Sequence, residues 1–452
     1  LAALFNKFIV GSFVCFLGWQ ACTPKKEVTF AEDIAPIIHS QCTPCHRENG
    51  GGPFPLVSFQ DVAKRSKMVA HVTKIRYMPP WPADPQYSRF VNERLLSKKE
   101  IDLIQTWYKN GSKPGDTTGF EAKAATLTAS LEKKPDIIVP LVAMPLKGNH
   151  RDRFFVVKAP LTLPEKAYVR MIEFVPGIAS AVHHVNGHLL NYPDNYPIDI
   201  FSGNFVADIE SDTFEQAFKA LNLYTEKELL PERIHSAVNY LPGVSGVFYP
   251  NGIGGFTLAK RSIFVLKDIH YGPVDKDKVD RSALHIYLSK TPPERPIKET
   301  MLGTNGISAI VPPLVIAPNK VQTFRTQAFL TEDISLLTIN PHMHLLGKSL
   351  KAFAVKPNGD TLPLIHIPEW NFRWQYFYTF KHMLKIPKGS TIFVEAVFDN
   401  TSKNPNNPNK PPQTVGERLH LGGASMRTTD EMLQFILSYL PYKEGDEKIS
   451  LQ

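Results

Sequence analysis

Hydrophobic positions change their spacing along the chain. Between 30 and 39 apolar residues recur at helical intervals. At 97–111 Ser97 and Glu100 form a capping box, and Ile101, Ile104, Trp107 and Tyr108 form one apolar stripe. Gly111 is the expected stop. Segment 120–135, rich in Ala, Thr and Lys, reads as a linker. Beyond it the apolar runs are short, alternating and rich in Val, Ile and Phe: 136–142, 154–157, 168–174, 262–268, 321–329, 335–340, 350–355 and 391–398. Turn residues separate them. This texture predicts antiparallel β-sandwiches. Segment 214–241 looks helical and is expected to be an insertion; 291–297 is Pro-rich and looks like a join; 400–412 is an Asn/Pro loop. The expected architecture is multidomain: a small all-α domain at 29–116, a linker at 117–134, a β-sandwich at 135–292, a linker at 293–312 and a second β-sandwich at 313–445.

Composition adds bounds. The chain has 452 residues, 43% hydrophobic and 21% charged, the balance of a globular protein. A net charge of +8 over this length does not argue for nucleic-acid binding. Four cysteines exclude a disulfide-dense scaffold. Residues 1–22 read as an export leader: Lys7, a short apolar run at 8–19, then Ala21 before Cys22. The Ala-Cys junction resembles a bacterial lipoprotein cleavage site, despite the bulky Trp19 and Gln20. The expectation is an exported bacterial protein, periplasmic or held to the membrane by a lipid on Cys22.

The all-α region contains Cys42-Thr43-Pro44-Cys45-His46. Two thiols at this spacing can each form a thioether to a porphyrin vinyl group, with the adjacent imidazole below the iron. A redox dithiol or half of a zinc site are the alternatives. Zinc would need further thiols, and none follow Cys45. The motif between two helices resembles a small class I cytochrome c, with haem c held covalently. Met78, in a loop fixed by Pro79 and Pro80, is the expected sixth ligand; Met68 and His71 compete from a helical pattern. Ligation by Met closes the iron to oxygen, so the module would transfer electrons.

Of fifteen histidines, most carry no pattern. His183 and His184 are adjacent, and on a regular strand they would point to opposite faces; a bulge is needed to bring both to one metal. His270 follows an apolar strand. His342 and His344 are two apart and share a strand face. Met432 opens a late apolar strand and would matter only as a soft ligand beside a His pair, a set suited to cuprous–cupric cycling.

In this order the motifs resemble the copper type II, ascorbate-dependent monooxygenases, over about 135–439. The resemblance implies two sandwiches side by side and two copper ions. His183, His184 and His270 would hold an electron-transfer copper, and His342, His344 and Met432 an oxygen-binding copper. It also implies C–H hydroxylation of a small-molecule substrate by O2, with an external electron donor. Departures are evident. No cysteine is left for the disulfides of animal members. Asn340 stands where the peptide-processing members use a carboxylate-gripping Arg, and Gln434 and Ile436 stand where they use Asn and Tyr. A peptide carboxylate is therefore not the expected substrate. The competing expectation is a non-catalytic exported c-type cytochrome whose β domains bind copper or a partner.

Overall fold

The computed structural model describes residues 27–48, 50–116, 134–208, 214–223, 231–242, 250, 252–417 and 429–451, and the statements below concern these. The expected leader with Cys22, and nearly all of the expected 117–134 linker, lie outside them. No helix among the described residues is long and apolar enough to cross a membrane.

The N-terminal region is helical. A turn of π-helix, Phe30–Ile34, runs into the α-helix Ala35–Gln41, which ends where the Cys-x-x-Cys-His motif begins. Phe59–Ala63 and Ser66–Lys74 follow. Lys98–Lys109 starts at the anticipated capping box: Ser97 accepts from the Glu100 N–H, and the Glu100 carboxylate accepts from the Ser97 N–H. Ile101, Ile104 and Trp107 of its stripe are buried against Phe30, Ile34 and Ile38. Trp107 also donates its indole N–H to Lys113 O at 2.9 Å, so truncating it would cost about 3–5 kcal/mol.

The next region packs a four-stranded sheet on a five-stranded one. In spatial order the first is Ile137–Pro140, Ala283–Ser289, Ala167–Val175 and Phe256–Leu258; the second is Val206–Asp208, Arg153–Thr162, Arg261–Tyr271, Val182–Tyr192 and Glu232–Tyr240. All these pairs are antiparallel. Period-two alternation sends Val157, Phe264 and Leu266 into the space between the sheets. Val156, Ile263 and Val265 go to the other face, under the helix Phe214–Leu221.

The C-terminal region repeats the plan. One sheet orders Lys298–Gly303, Gln434–Pro441, Ile334–His342 and Tyr378–Ile386; the facing sheet orders Ile310–Val311, Val321–Phe329, Thr391–Asp399, Gly347–Val355 and Thr361–Ile367. Leu336, Ile339, Val394, Phe398, Phe435 and Leu437 fill the core.

Two sequence expectations are corrected. Within the segment expected to be helical, Glu232–Tyr240 is a strand paired with Val182–Tyr192. A register shift at Gly187/Leu189 and the positive φ of Ser236 (48°) break its alternation, which leaves Ile234 and Val238 at a helix-like spacing. Within the expected 293–312 linker, Lys298–Gly303 is a strand paired with Gln434–Pro441, with Leu302 fully buried. It is an edge strand directly after a Pro-rich run, so its short alternation was masked.

The helical region is docked on the second sandwich by the 78–91 loop. Val91 N donates to Thr379 O (2.7 Å), Asp84 N to His366 O (2.8 Å), and the Tyr376 hydroxyl to Pro80 O (3.0 Å). Trp81 and Phe90 pack against Tyr376 and Tyr378.

Candidate metal centres and the segment between them

His183, His184 and His270 meet on two neighbouring strands. The register pairs Val182 with Tyr271 and His184 with His270, so His183 is the extra residue of a bulge. The bulge supplies the re-aiming that adjacent histidines need. Both rings then meet His270 edge to face, at 4.7 Å for His183 and 5.0 Å for His184. Gly272 makes room for the arrangement: a Cβ there would sit 2.3 Å from His183 Nε2. Burial, reinforced by His270, pushes the His183 imidazole down to about 4, so it is neutral and ligand-competent at physiological pH.

A fourth group was missed by sequence reasoning. Asp152 lies just before the strand Arg153–Thr162, and its Oδ1 is 2.8 Å from His270 Nε2. Ligand atoms of Asp152, His183 and His270 lie within 4.8 Å of one another. The hydrogen bond with His270 holds the Asp152 carboxyl below its ordinary range.

His342 ends the strand Ile334–His342, and His344 lies two residues on. Their ring centroids are 5.1 Å apart at 88°. Pro341 is tolerated because the partner strand Tyr378–Ile386 pairs only as far as Ile339, so one side of the strand is locally an edge. On its other side His342 pairs with Gln434. The pairing ends there, and His344 is held beside 430–431 through Asp430 O and the Glu431 carboxylate, with the buried Met432 next in the chain. The Glu431 carboxylate fastens the junction by accepting from His344 N (2.9 Å) and Leu346 N (2.5 Å). Glu431 is fully buried, which pushes its carboxyl up to about 8 despite these bonds.

Both rings of the pair are held through Nδ1. His342 Nδ1 bonds Gln375 Oε1, and His344 Nδ1 lies 2.9 Å from Asp430 O. A metal shared by the two would therefore be met by Nε2 of each. Gln375 and Glu431 had no sequence signal of their own as supports.

The departures noted in the sequence have structural uses. Asn340 donates to Tyr376 O (3.0 Å), and Gln434 donates to Thr304 O (2.8 Å). Both side chains are thus engaged with backbone inside the second sandwich.

Segment 370–376 joins the two clusters. Trp370 donates its indole N–H to His344 O (3.2 Å), and Gln375 Nε2 donates to Phe372 O (2.7 Å). The Phe372 ring lies 5.7 Å from that of His344 and 6.3 Å from that of His184, so the two histidine rings are within 12 Å of each other. The two clusters face one another across a single aromatic side chain.

In the helical region, His46 Nδ1 lies 3.0 Å from Phe54 O, and Gly52 lies against the ring, where a Cβ would be 2.7 Å from Nδ1. No disulfide joins Cys42 and Cys45. Burial raises both, Cys42 to about 12. Cys45 Sγ lies 3.7 Å from Pro242 O, which sets the motif against the first sandwich. Met78 is half-buried in its loop, whereas Met68 and His71 are exposed on the helix Ser66–Lys74.

Comparison with known proteins bears on the second sandwich. Residues 308–409 match the family model of the copper type II ascorbate-dependent monooxygenase, C-terminal domain. The matched segment contains His342, His344, Phe372 and Gln375. It supports a copper-dependent monooxygenase, an oxidoreductase that uses O2 and a substrate. No curated protein matches the chain. Among solved structures the chain is similar to the cryo-EM atomic structure of Broad Bean Stain Virus, at 8% identity over 68% of this chain and 88% of that one, with a TM-score of 0.20. A likeness that weak carries no argument.

Proposed function

We propose that this protein is an exported monooxygenase that hydroxylates a C–H bond of a small substrate with O2, using two copper sites and electrons from a haem in its helical region. The observation that carries the reading is the second site: two imidazoles held through Nδ1 inside the segment that matches the copper family, with the buried Met432, beyond that segment, as the proposed third ligand. When bound there, copper would supply the oxygen chemistry, and the soft Met432 would favour its cuprous state. His183, His184 and His270 are the proposed ligands of the electron-supplying copper. Gln375 and Asp430 O fix the tautomers of His342 and His344, and Glu431 fixes the backbone that carries His344 and Met432. Phe372 fills the space between the clusters and keeps water from part of it.

The residues around Cys-x-x-Cys-His fit a covalently held haem. The Nδ1 contact to Phe54 O turns His46 so that Nε2 would meet the iron. A catalytic dithiol needs a depressed thiol, and here both are raised by burial. Met78 is the proposed sixth ligand. The loop that carries it continues through Pro80 and Trp81 onto Tyr376, next to Gln375 and hence one residue from the support of His342. Such docking supports a tethered donor acting at high effective concentration. Export, with Cys22 as the lipid-bearing residue, rests on the leader pattern of the sequence.

With Asn340 and Gln434 engaged by backbone carbonyls, nothing at those positions grips a carboxylate, so the proposed substrate is not a C-terminal peptide. The test is anaerobic stopped-flow on the copper- and haem-loaded protein. Replacing His46 by Ala should slow copper re-reduction by an external donor, and an unchanged rate would refute the haem's role. Copper-dependent O2 uptake that persists without His342 and His344 would refute the oxygenase itself.

A further inference from the structure

The first cluster contains a carboxylate hydrogen-bonded directly to a proposed ligand ring. Phe154 is in register with His270, and Asp152 lies two residues earlier, just before the strand begins. Together they clamp one ring: Phe154 stacks on His270 at 4.3 Å and 16°, while Asp152 Oδ1 is 2.8 Å from Nε2. With Nε2 so held, a metal shared with His183 would be met by Nδ1 of His270. Asp152 is about half exposed, in contrast to the buried His270. At the second cluster the buried Glu431 has its two oxygens committed to backbone N–H groups, and the proposed third donor is the neutral thioether of Met432.

We propose that Asp152 is a positioning residue of the first metal site, acting through His270, and that its negative charge makes this site favour Cu(II) over Cu(I) and so sets electron flow toward the Met432 site. The proposal rests on the two-copper reading above. A hard anionic oxygen lowers the energy of a dipositive ion more than that of a monopositive one, whereas thioether sulfur does the reverse. Copper held by His183, His184 and His270 would supply one electron to the second site, with its own charge rising by one. Asp152 offsets the charge that appears, and no proton has to move.

The test uses the full chain with His342→Ala as background, so that only the first site is titrated. Copper(II) and copper(I) affinities are measured separately by chelator competition, with EPR of the cupric form. Asp152→Asn, which keeps the size and a neutral acceptor, should weaken copper(II) binding by roughly 10–100-fold and shift the EPR hyperfine splitting. It should leave copper(I) binding within about twofold, since the charge argument concerns the cupric state. Asp152→Glu should restore most of the copper(II) affinity. Equal losses in both oxidation states, or no loss, would overturn the charge role. His183→Ala in the same background separates the two ideas. If it abolishes copper binding while Asp152→Asn does nothing selective, only the Asp152 proposal fails. If it too leaves binding unchanged, the first copper site fails and takes this proposal with it.

Discussion

The two clusters both centre on paired imidazoles but rest on two kinds of scaffold. The first is built within a single sheet, from a bulged strand and its neighbour, and its carboxylate reaches a ligand ring directly. The second is built where a strand ends, and its carboxylate is buried and binds backbone instead of imidazole. In the first, geometry comes from an irregularity in pairing. In the second, it comes from bonds that hold 344–346 against 430–431 just beyond the end of the regular pairing. A carboxylate thus hydrogen-bonds a ring directly in the first cluster, whereas in the second the Glu431 carboxylate is spent on backbone N–H groups.

The largest expected effect on that contrast is at the second site. Replacing His344 by Ala should reduce copper-dependent O2 uptake to background in an oxygen-electrode assay, while copper remains bound at the first site. A milder break is Gln375→Ala, which releases His342 Nδ1. It should weaken copper at the second site by roughly 10–100-fold in chelator competition and leave the first unaffected.

A third test concerns the seam between the sandwiches. Glu299, on the edge strand of the second sandwich, bonds Ser438 (3.2 Å) and also Ser236 of the first. Burial pushes its carboxyl from 4.5 up to about 7. Because its folded-state value is the higher one, its stabilising contribution is complete below about pH 4.5 and is lost as pH rises through about 7. Thermal melts of wild type should show a loss on the order of 2–3 kcal/mol across that window. Glu299→Gln should flatten the dependence. The smallest effect is a control on the helical region: Ser97→Ala removes the N-cap and should cost about 1 kcal/mol with no change at either metal site.

Legibility in the sequence followed how local each determinant is. The Lys98–Lys109 helix was legible because cap, stripe and stop lie within fifteen residues. His342 and His344 were legible as a closely spaced pair, although the strand ends at His342 and the bonds of His344 to 430–431 bring the rings together. The His183–His184 pair announced that a bulge was required but not that one existed, since the bulge depends on pairing with a strand nearly ninety residues away. Asp152, Gln375 and Phe372 left no pattern. Each acquires its partner only through the register of strands or the packing of a loop from another part of the chain. Glu232–Tyr240 misled for the same reason, because a kink in the backbone removed the alternation by which a strand is recognised.

The central claim is that two copper sites face each other across Phe372. Loading the full chain with copper(II) and recording EPR tests it most directly. With the histidine rings of the two clusters within 12 Å of each other, the account predicts two cupric ions per chain with a mutual dipolar interaction, abolished when either His183 or His342 is replaced by Ala. A single cupric signal that survives the loss of His342, or two ions that show no interaction, would contradict it.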